Sequence, residues 1–218
     1  MSVIAIVGAG PGLGMATARR FGREGFKVGL ISRTKNKVDA LAQELQDEGI
    51  EARGYVADIT IRDTIPAALD GVARDLGPIE VLQFSPIPAR DYLRPVLETT
   101  PEDLEAAAAF SIVGSTVVIR HVLPGMEGIG RGTVLLVNGG SAVNPNHNYA
   151  GTSVAFAGES AYGQMLHEAL AETDIHVAQL IVPGAIDGPD PVFASTALAD
   201  RLWAIHTERG DYRTTIGA

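Results

Sequence analysis

The stretch Val3-Ile4-Ala5-Ile6-Val7-Gly8-Ala9-Gly10-Pro11-Gly12-Leu13-Gly14 decides how this chain is read. Its first five residues are apolar and mostly β-branched, the composition of a short strand. Four glycines within seven positions follow at once, and then apolar residues at helical spacing: Leu13, Ala16 and Phe21. Strand, glycine loop and helix in that order make a phosphate cradle. Glycine lets the backbone turn tightly and come close to a pyrophosphate, and the helix start offers unpaired N–H groups and a favourable dipole. A plain strand-to-helix turn would use the same residues, so the weight rests on their surroundings.

Working outward, β-branched runs alternate with helix-period segments. Further strands are expected at Lys27–Ile31, Glu51–Val56, Glu80–Phe84, Thr133–Asn138 and His176–Val182. Between them lie Val38, Leu41 and Leu45, then Ile65, Leu69, Val72 and Leu76, and longer helices over Glu102–Leu123 and Ser153–Leu170. Gly49 and Gly77-Pro78 stand where helices should stop. Parallel strands need crossover connections, and those are right-handed, so strict alternation predicts an α/β fold: a doubly wound parallel sheet of the Rossmann type, three layers α/β/α. Nothing marks a linker or a repeat, and residues 1–218 read as a single domain. The proline-bearing segments Ser85–Glu98 and Asp187–Thr196 would leave the carboxyl edge of the sheet, where such folds bind ligands.

Composition narrows the partners. The 218 residues include no cysteine, which removes disulfide frameworks and thiolate zinc sites. The apolar start has no basic flank and is too short to span a bilayer, so neither a signal peptide nor membrane insertion is expected, and cytoplasm is the expected location. A net charge of -9 disfavours nucleic acid, which needs clustered Lys and Arg. Asp187 and Asp190 form no pair with metal-ligand spacing, and no metal is expected. A small molecule is the expected partner.

Gly8-xxx-Gly12-x-Gly14 resembles the cofactor motif of the short-chain dehydrogenase/reductase family, with Val7 where that family usually has Thr. The resemblance runs along nearly the whole chain. Asp58, within Ala57-Asp58-Ile59-Thr60, looks like the acidic residue that holds the adenine amino group. Asn138-Gly139-Gly140-Ser141 ends the fifth strand where the family has its catalytic serine. Pro183-Gly184-Ala185-Ile186 looks like the turn that orients the nicotinamide. The cofactor-binding positions so implied are Gly8, Gly10, Pro11, Gly12, Leu13, Gly14, Ser32, Arg33, Asp58, Ile59, Ser85, Pro183, Gly184 and Ile186. At the end of the second strand a carboxylate would select NAD; here Ser32-Arg33-Thr34-Lys35 puts a guanidinium fork and a lysine where a 2′-phosphate would lie. NADP(H) is therefore expected ahead of NAD(H), although Arg33 and Lys35 also suit a solvated helix start. The family's paired helices imply a homodimer or homotetramer, with Ala155, Ala157, Gly158 and Ala161 suited to close contact.

The chemistry departs from the family. Its members use a Tyr as general acid, a Lys four residues later that lowers the Tyr pKa, a Ser and an Asn. A phenol needs such a cation to shuttle protons near neutrality. The last lysine of this chain is Lys37. The Tyr position falls on Thr152, the Lys position on Phe156 and the Asn position on Ser111, while the family's Asn-Asn-Ala-Gly has become Phe84-Ser85-Pro86-Ile87. Ser141 remains, and Tyr149, with His147 beside it, is the candidate replacement acid. His121, His167, His176 and His206 read as structural. Two functions stay open: an NADP(H)-dependent oxidoreductase with a replaced proton donor, acting on a small carbonyl or alcohol, and a non-catalytic NADP(H)-binding sensor or assembly protein.

Overall fold

Val3–Val7 form strand β1, and all five residues are buried, which is why the run has no polar position. In the computed structural model, which describes residues 2–217, β1 is an interior strand of a seven-stranded parallel sheet, between β2 and β4. The other strands are β2 (Lys27–Ser32), β3 (Ala52–Val56), β4 (Ile79–Phe84), β5 (Gly132–Gly139), β6 (Ile175–Val182) and β7 (Arg213–Thr215). Their spatial order is β3-β2-β1-β4-β5-β6-β7. The chain thus winds outward from β1 in one direction, returns, and winds outward in the other.

The six expected strands are all present, each within a residue of its expected ends. β7 was not expected. It has three residues, too few for a period, and exists because Arg213–Thr215 lie against Gln179–Ile181 of β6.

Side chains alternating along β1 feed two cores. Ile4 and Ile6 face α1 (Leu13–Arg23), α2 (Lys35–Asp47) and α7 (Ser195–Glu208), where Phe21, Leu45, Leu198 and Leu202 are buried with them. Val3, Ala5 and Val7 face the opposite layer, which holds α3 (Thr64–Leu76) and a long helical segment through Leu69, Val72, Phe110, Ile119 and Met126. These two layers bury the interior strands β1, β4 and β6 on both faces, the condition a parallel sheet imposes, while the edge strands β3 and β7 stay partly exposed.

That long segment runs from Pro101 to Ile129 in three parts: α4 (Pro101–Ala108), a π turn (Ala109–Val113) and α5 (Gly114–Ile129). Thr100 and Asp103 start it with a reciprocal capping box. It is long and apolar enough to cross a membrane, yet its apolar residues Phe110, Val118, Ile119, Val122 and Met126 are spent on the sheet. It extends beyond the expected Leu123 because Pro124 is accommodated inside α5. α6 (Ala150–Ala169) begins three residues before the expected Ser153.

Candidate functional site

The order β2-β1-β4 means that the connections leaving β1 and β4 diverge to opposite faces, and a crevice must open at their carboxyl ends. Gly8 stands at that point with φ +90. A Cβ there would lie 2.5 Å from Pro86 Cα and 2.6 Å from Pro86 N, so only glycine lets the loop after β4 close against the loop after β1. The N–H groups of Gly8 and Ala9 both donate to the Ile31 carbonyl at 3.1 Å, and Ser85 N–H donates to the Val7 carbonyl at 3.0 Å. The turn is therefore tied to β2 on one side and β4 on the other. A Cβ on Gly14 would come within 3.2 Å of Ala9 Cα, whereas one on Gly10 would meet nothing within 4 Å. No side chain caps the start of α1, where Gly12 is the N-cap residue.

Two cavities flank this loop. The first, about 320 Å³, is lined by Ser32, Arg33, Thr34, Lys37, Asp58 and Ile59 together with Gly8 to Pro11. The second, about 490 Å³, is lined by Gly12, Leu13, Gly14, Ser85, Asn138, Gly139, Phe156, Gly184, Ile186 and Asp187, among others. Both include Gly8, Gly10, Pro11, Pro86 and Ile87, so they are the two arms of one groove over the glycine loop.

Most of the expected cofactor residues meet in this groove. Pro183 is the exception, since Gly184 and Ile186 supply the lining on that side. In the first arm Arg33 and Lys37 are exposed and, among the described residues, carry no ion pair. Lys35, expected to add charge here, is instead bonded to Asp39 at 2.6 Å and does not line the groove. Lys37, in the first turn of α2, takes its place beside Arg33, which stands just before the N-cap Thr34. Asp58 uses Oδ1 to accept from the backbone N–H and hydroxyl of Thr60 at 2.9 and 2.7 Å, which fixes the carboxylate at the groove wall.

The second arm ends at Phe156, and behind it lies an acid that the sequence did not single out. Phe156, at the position where the resemblance places lysine, forms part of the wall, and Thr152, one turn earlier, is buried. Behind Phe156 lies Glu159, 1% exposed. Its carboxyl accepts from the Ser111 hydroxyl and, at 3.1 Å, from Asn138 Nδ2. Ser111 is presented by the π turn, an irregularity that often marks a functional position in a helix. Asn138 Oδ1 in turn accepts from Gln179 Nε2 at 2.7 Å, and Gln179 Oε1 accepts from Ser160 Oγ at 2.8 Å and from Arg213 Nε at 3.0 Å. Burial pushes the Glu159 carboxyl up to about 7, against the opposing pull of its two hydrogen-bond donors. A glutamate directly after the uncharged run Ala155-Phe156-Ala157-Gly158 was the missed signal.

Ser141 and Tyr149 line neither arm. Ser141 lies in the short turn Gly140–Ala142 after β5, and Tyr149 is the N-cap residue of α6, 45% exposed. His147 is exposed beside it. The remaining histidines are remote from the groove. His121 pairs with Asp70 at 2.7 Å, and His167 bonds the Val177 carbonyl at 2.8 Å. His176 is buried at the start of β6, and burial pushes it down to about 4. Among the described residues no three His, Asp or Glu side chains gather as a metal site.

Residues 2–193 match the short chain dehydrogenase family. The chain is 28% identical over 183 residues to a 3-dehydrosphinganine reductase of Arabidopsis thaliana, covering 82% of this chain and 53% of that one. It is 27% identical over 187 residues to a 3-oxoacyl-(acyl-carrier-protein) reductase of Thermotoga maritima, covering 86% and 75%. It thus spans about half the length of the plant reductases it matches. Among solved structures, a short-chain dehydrogenase from Rhodopseudomonas palustris superposes with a TM-score of 0.86 at 24% identity, covering 100% and 98% of the two chains. A metagenomic short-chain oxidoreductase in complex with NADP gives 0.86 at 22%, covering 99% and 96%.

Two outcomes follow from this geometry. Gly8→Ala places a Cβ into the Pro86 backbone at a positive φ and should destabilise the fold by about 2 kcal/mol or more, roughly 4–8 °C in Tm. Gly10→Ala should melt within about 0.5 kcal/mol of the parent, since its Cβ meets only open space. Thermal melts of the two variants check the contrast.

The second outcome concerns pH. From the ordinary 4.5 up to about 7, folded Glu159 keeps a proton that the unfolded chain has released, so its contribution to stability falls as pH rises. From about 4 to the ordinary 6.5, unfolded His176 holds a proton that the folded chain does not, so its contribution rises. The two slopes oppose each other over most of this window. Glu159→Gln removes the falling one alone, so stability of the variant should climb with pH across it, by up to roughly 3 kcal/mol. Parallel pH profiles for parent and variant would show that Glu159 titrates as an ordinary carboxylate.

Proposed function

The chain belongs to the short chain dehydrogenase family, and from that premise we propose that it is an NADP(H)-dependent oxidoreductase acting on a small carbonyl or alcohol. The observation that carries this reading is the single groove across the β1–β4 crevice, with a glycine loop at its centre and two unpaired cations at one end. The residues present fit a dinucleotide. Gly8 closes the loop, Gly10 leaves the approach open, and the uncapped start of α1 offers N–H donors to a pyrophosphate. Asp58 and Ile59 would border an adenine, and Arg33 and Lys37 would hold a 2′-phosphate, the guanidinium through two parallel hydrogen bonds. Ser32, at the usual acidic position, repels no phosphate. Gly184, Ile186 and Ser85 would bound the nicotinamide, which when bound supplies or accepts hydride.

A second reading, a non-catalytic NADP(H)-binding protein, draws on Thr152 and Phe156 standing where the family has its Tyr and Lys. Both readings need the cofactor, and turnover separates them: oxidation of NADPH by activated carbonyls or quinones belongs to the first alone.

NADPH should bind more tightly than NADH in titration calorimetry. Arg33→Ala should remove about 1.5–3 kcal/mol of NADPH affinity, roughly ten- to a hundredfold, while leaving NADH nearly unchanged. Equal affinities in the parent protein would sink the NADP(H) assignment.

We further propose that the chain self-associates through α6. Of the small residues named on this helix, Ala155 is buried, and Gly158, half-buried, lies where a Cβ would meet Ile112 Cδ1 of the neighbouring helical segment. The outward stripe is Val154, Ala161 and Met165, with Val154 and Met165 54% and 59% exposed. Two such stripes paired about a two-fold axis would bury each other. Light scattering at micromolar concentration should give a dimer or tetramer for the parent and a smaller species for Ala161→Arg; a monomeric parent counts against the interface.

A further inference from the structure

Glu159 is a buried acid without a cation. Its partners, Ser111 Oγ and Asn138 Nδ2, are both neutral donors. The strand and turn elements packed against it add no charge: β4 contributes Phe84, the π turn Phe110 and Ser111, and β5 Asn138. The charged and titratable groups on the far side are Arg213, which reaches the network through Gln179 and Ser160, and Tyr212, whose phenol burial pushes up to about 12 and which donates to the Ser160 carbonyl at 2.8 Å.

A narrow crevice leads from this carboxyl toward the groove. Glu159 lines it, and Pro86, Val137, Asn138 and Phe156 belong both to the crevice and to the second arm of the groove. These four residues are thus the wall between the acid and the region where a nicotinamide would lie. The crevice has no room for a water molecule, so no water chain connects the two.

We propose that Glu159 is the proton-holding residue of this site, its protonation coupled through the Phe156–Asn138 wall to the charge of a nucleotide held in the groove. The proposal rests on the cofactor reading above. When the carboxyl ionises, its O–H bond breaks, the carboxylate keeps the Ser111 and Asn138 donors, and the proton passes to solvent. A neutral acid is available because burial without a cation favours the protonated form near neutrality. The positive ring of an oxidised nicotinamide favours the anion, so oxidation state and protonation are linked.

That linkage is measurable without turnover. Titration calorimetry at pH 7 in two buffers of different ionisation enthalpy counts protons released per nucleotide bound. NADP⁺ should release up to about half a proton from the parent and NADPH none. Glu159→Gln should abolish the release, and Ser111→Ala, which removes one donor from the anion, should move it to higher pH. In the unliganded protein, the infrared C=O band of a protonated carboxyl should fade as pH rises through about 7 and be missing from Glu159→Gln. NADP⁺ binding with no proton release, equal release in Glu159→Gln, or the absence of that band overturns the proposal. Failure of both nucleotides to bind, with the band present and titrating, overturns the cofactor reading and the coupling with it.

Discussion

The close approach of Gly8 to Pro86 is the constraint on which the site depends. A parallel sheet that reverses its winding direction opens a crevice between β1 and β4, but the crevice has a usable floor only if the two outgoing loops meet. They meet because Gly8 has no Cβ and can hold φ +90. Everything along the groove is then placed by short connections to this contact. The Ile31 carbonyl ties the turn to β2, bringing Ser32 and Arg33 to one arm. Val7 pairs with Ser85 and brings the β4 loop, with Pro86 and Ile87, across the middle. The opening stretch of the sequence thus does double service, as the most buried strand and as the hinge point of the ligand groove.

How far the sequence could be read follows from where the physics is local. Strands buried on both faces must be continuously apolar, and the alternation of such runs with helical spacing is visible over a few residues, so the sheet and its class were legible. β7 was not, because its pairing with β6 is decided by a partner more than thirty residues away. The places of the glycine loop and Arg33 at the groove were legible because they depend on residue type at a fixed position in a strand–loop–helix unit. Lys35 and Lys37 were harder: both are lysines near the right strand end, and only the phase of the helix beginning at Lys35 decides that one pairs with Asp39 while the other faces the groove. Ser141 and Tyr149 were named from their place in the segment after β5; the turn Gly140–Ala142 and the exposed start of α6 set them outside the lining of either arm.

Glu159 was illegible for a different reason. Its significance lies in what it lacks, a cation, and that is a property of four elements packed together. The sequence shows a carboxylate on a helix, which is ordinarily a solvated face; burial by the π turn, β5 and Phe156 converts it into a group whose protonation is sensitive to its surroundings. The cost of such burial is offset by the two hydrogen-bond donors and by neutrality, since a protonated carboxyl escapes most of the penalty of an isolated ion.

Phe156 and Glu159 are best understood as one arrangement. Positions three apart on a helix lie on the same face, so a cation at 156 would stand within reach of the carboxyl at 159. It would hold that carboxyl as an anion, and a buried ion pair would then occupy the inner end of the groove. Phenylalanine does the reverse: it supplies no charge, excludes water and leaves the acid to keep its proton. With Thr152 and Phe156 at the positions where the resemblance places Tyr and Lys, the surroundings of Glu159 are dry and uncharged, the condition in which a carboxylic acid keeps its proton. Ser111 fits the same arrangement: at the position where the resemblance places an Asn, it supplies a hydroxyl that donates directly to the Glu159 carboxyl.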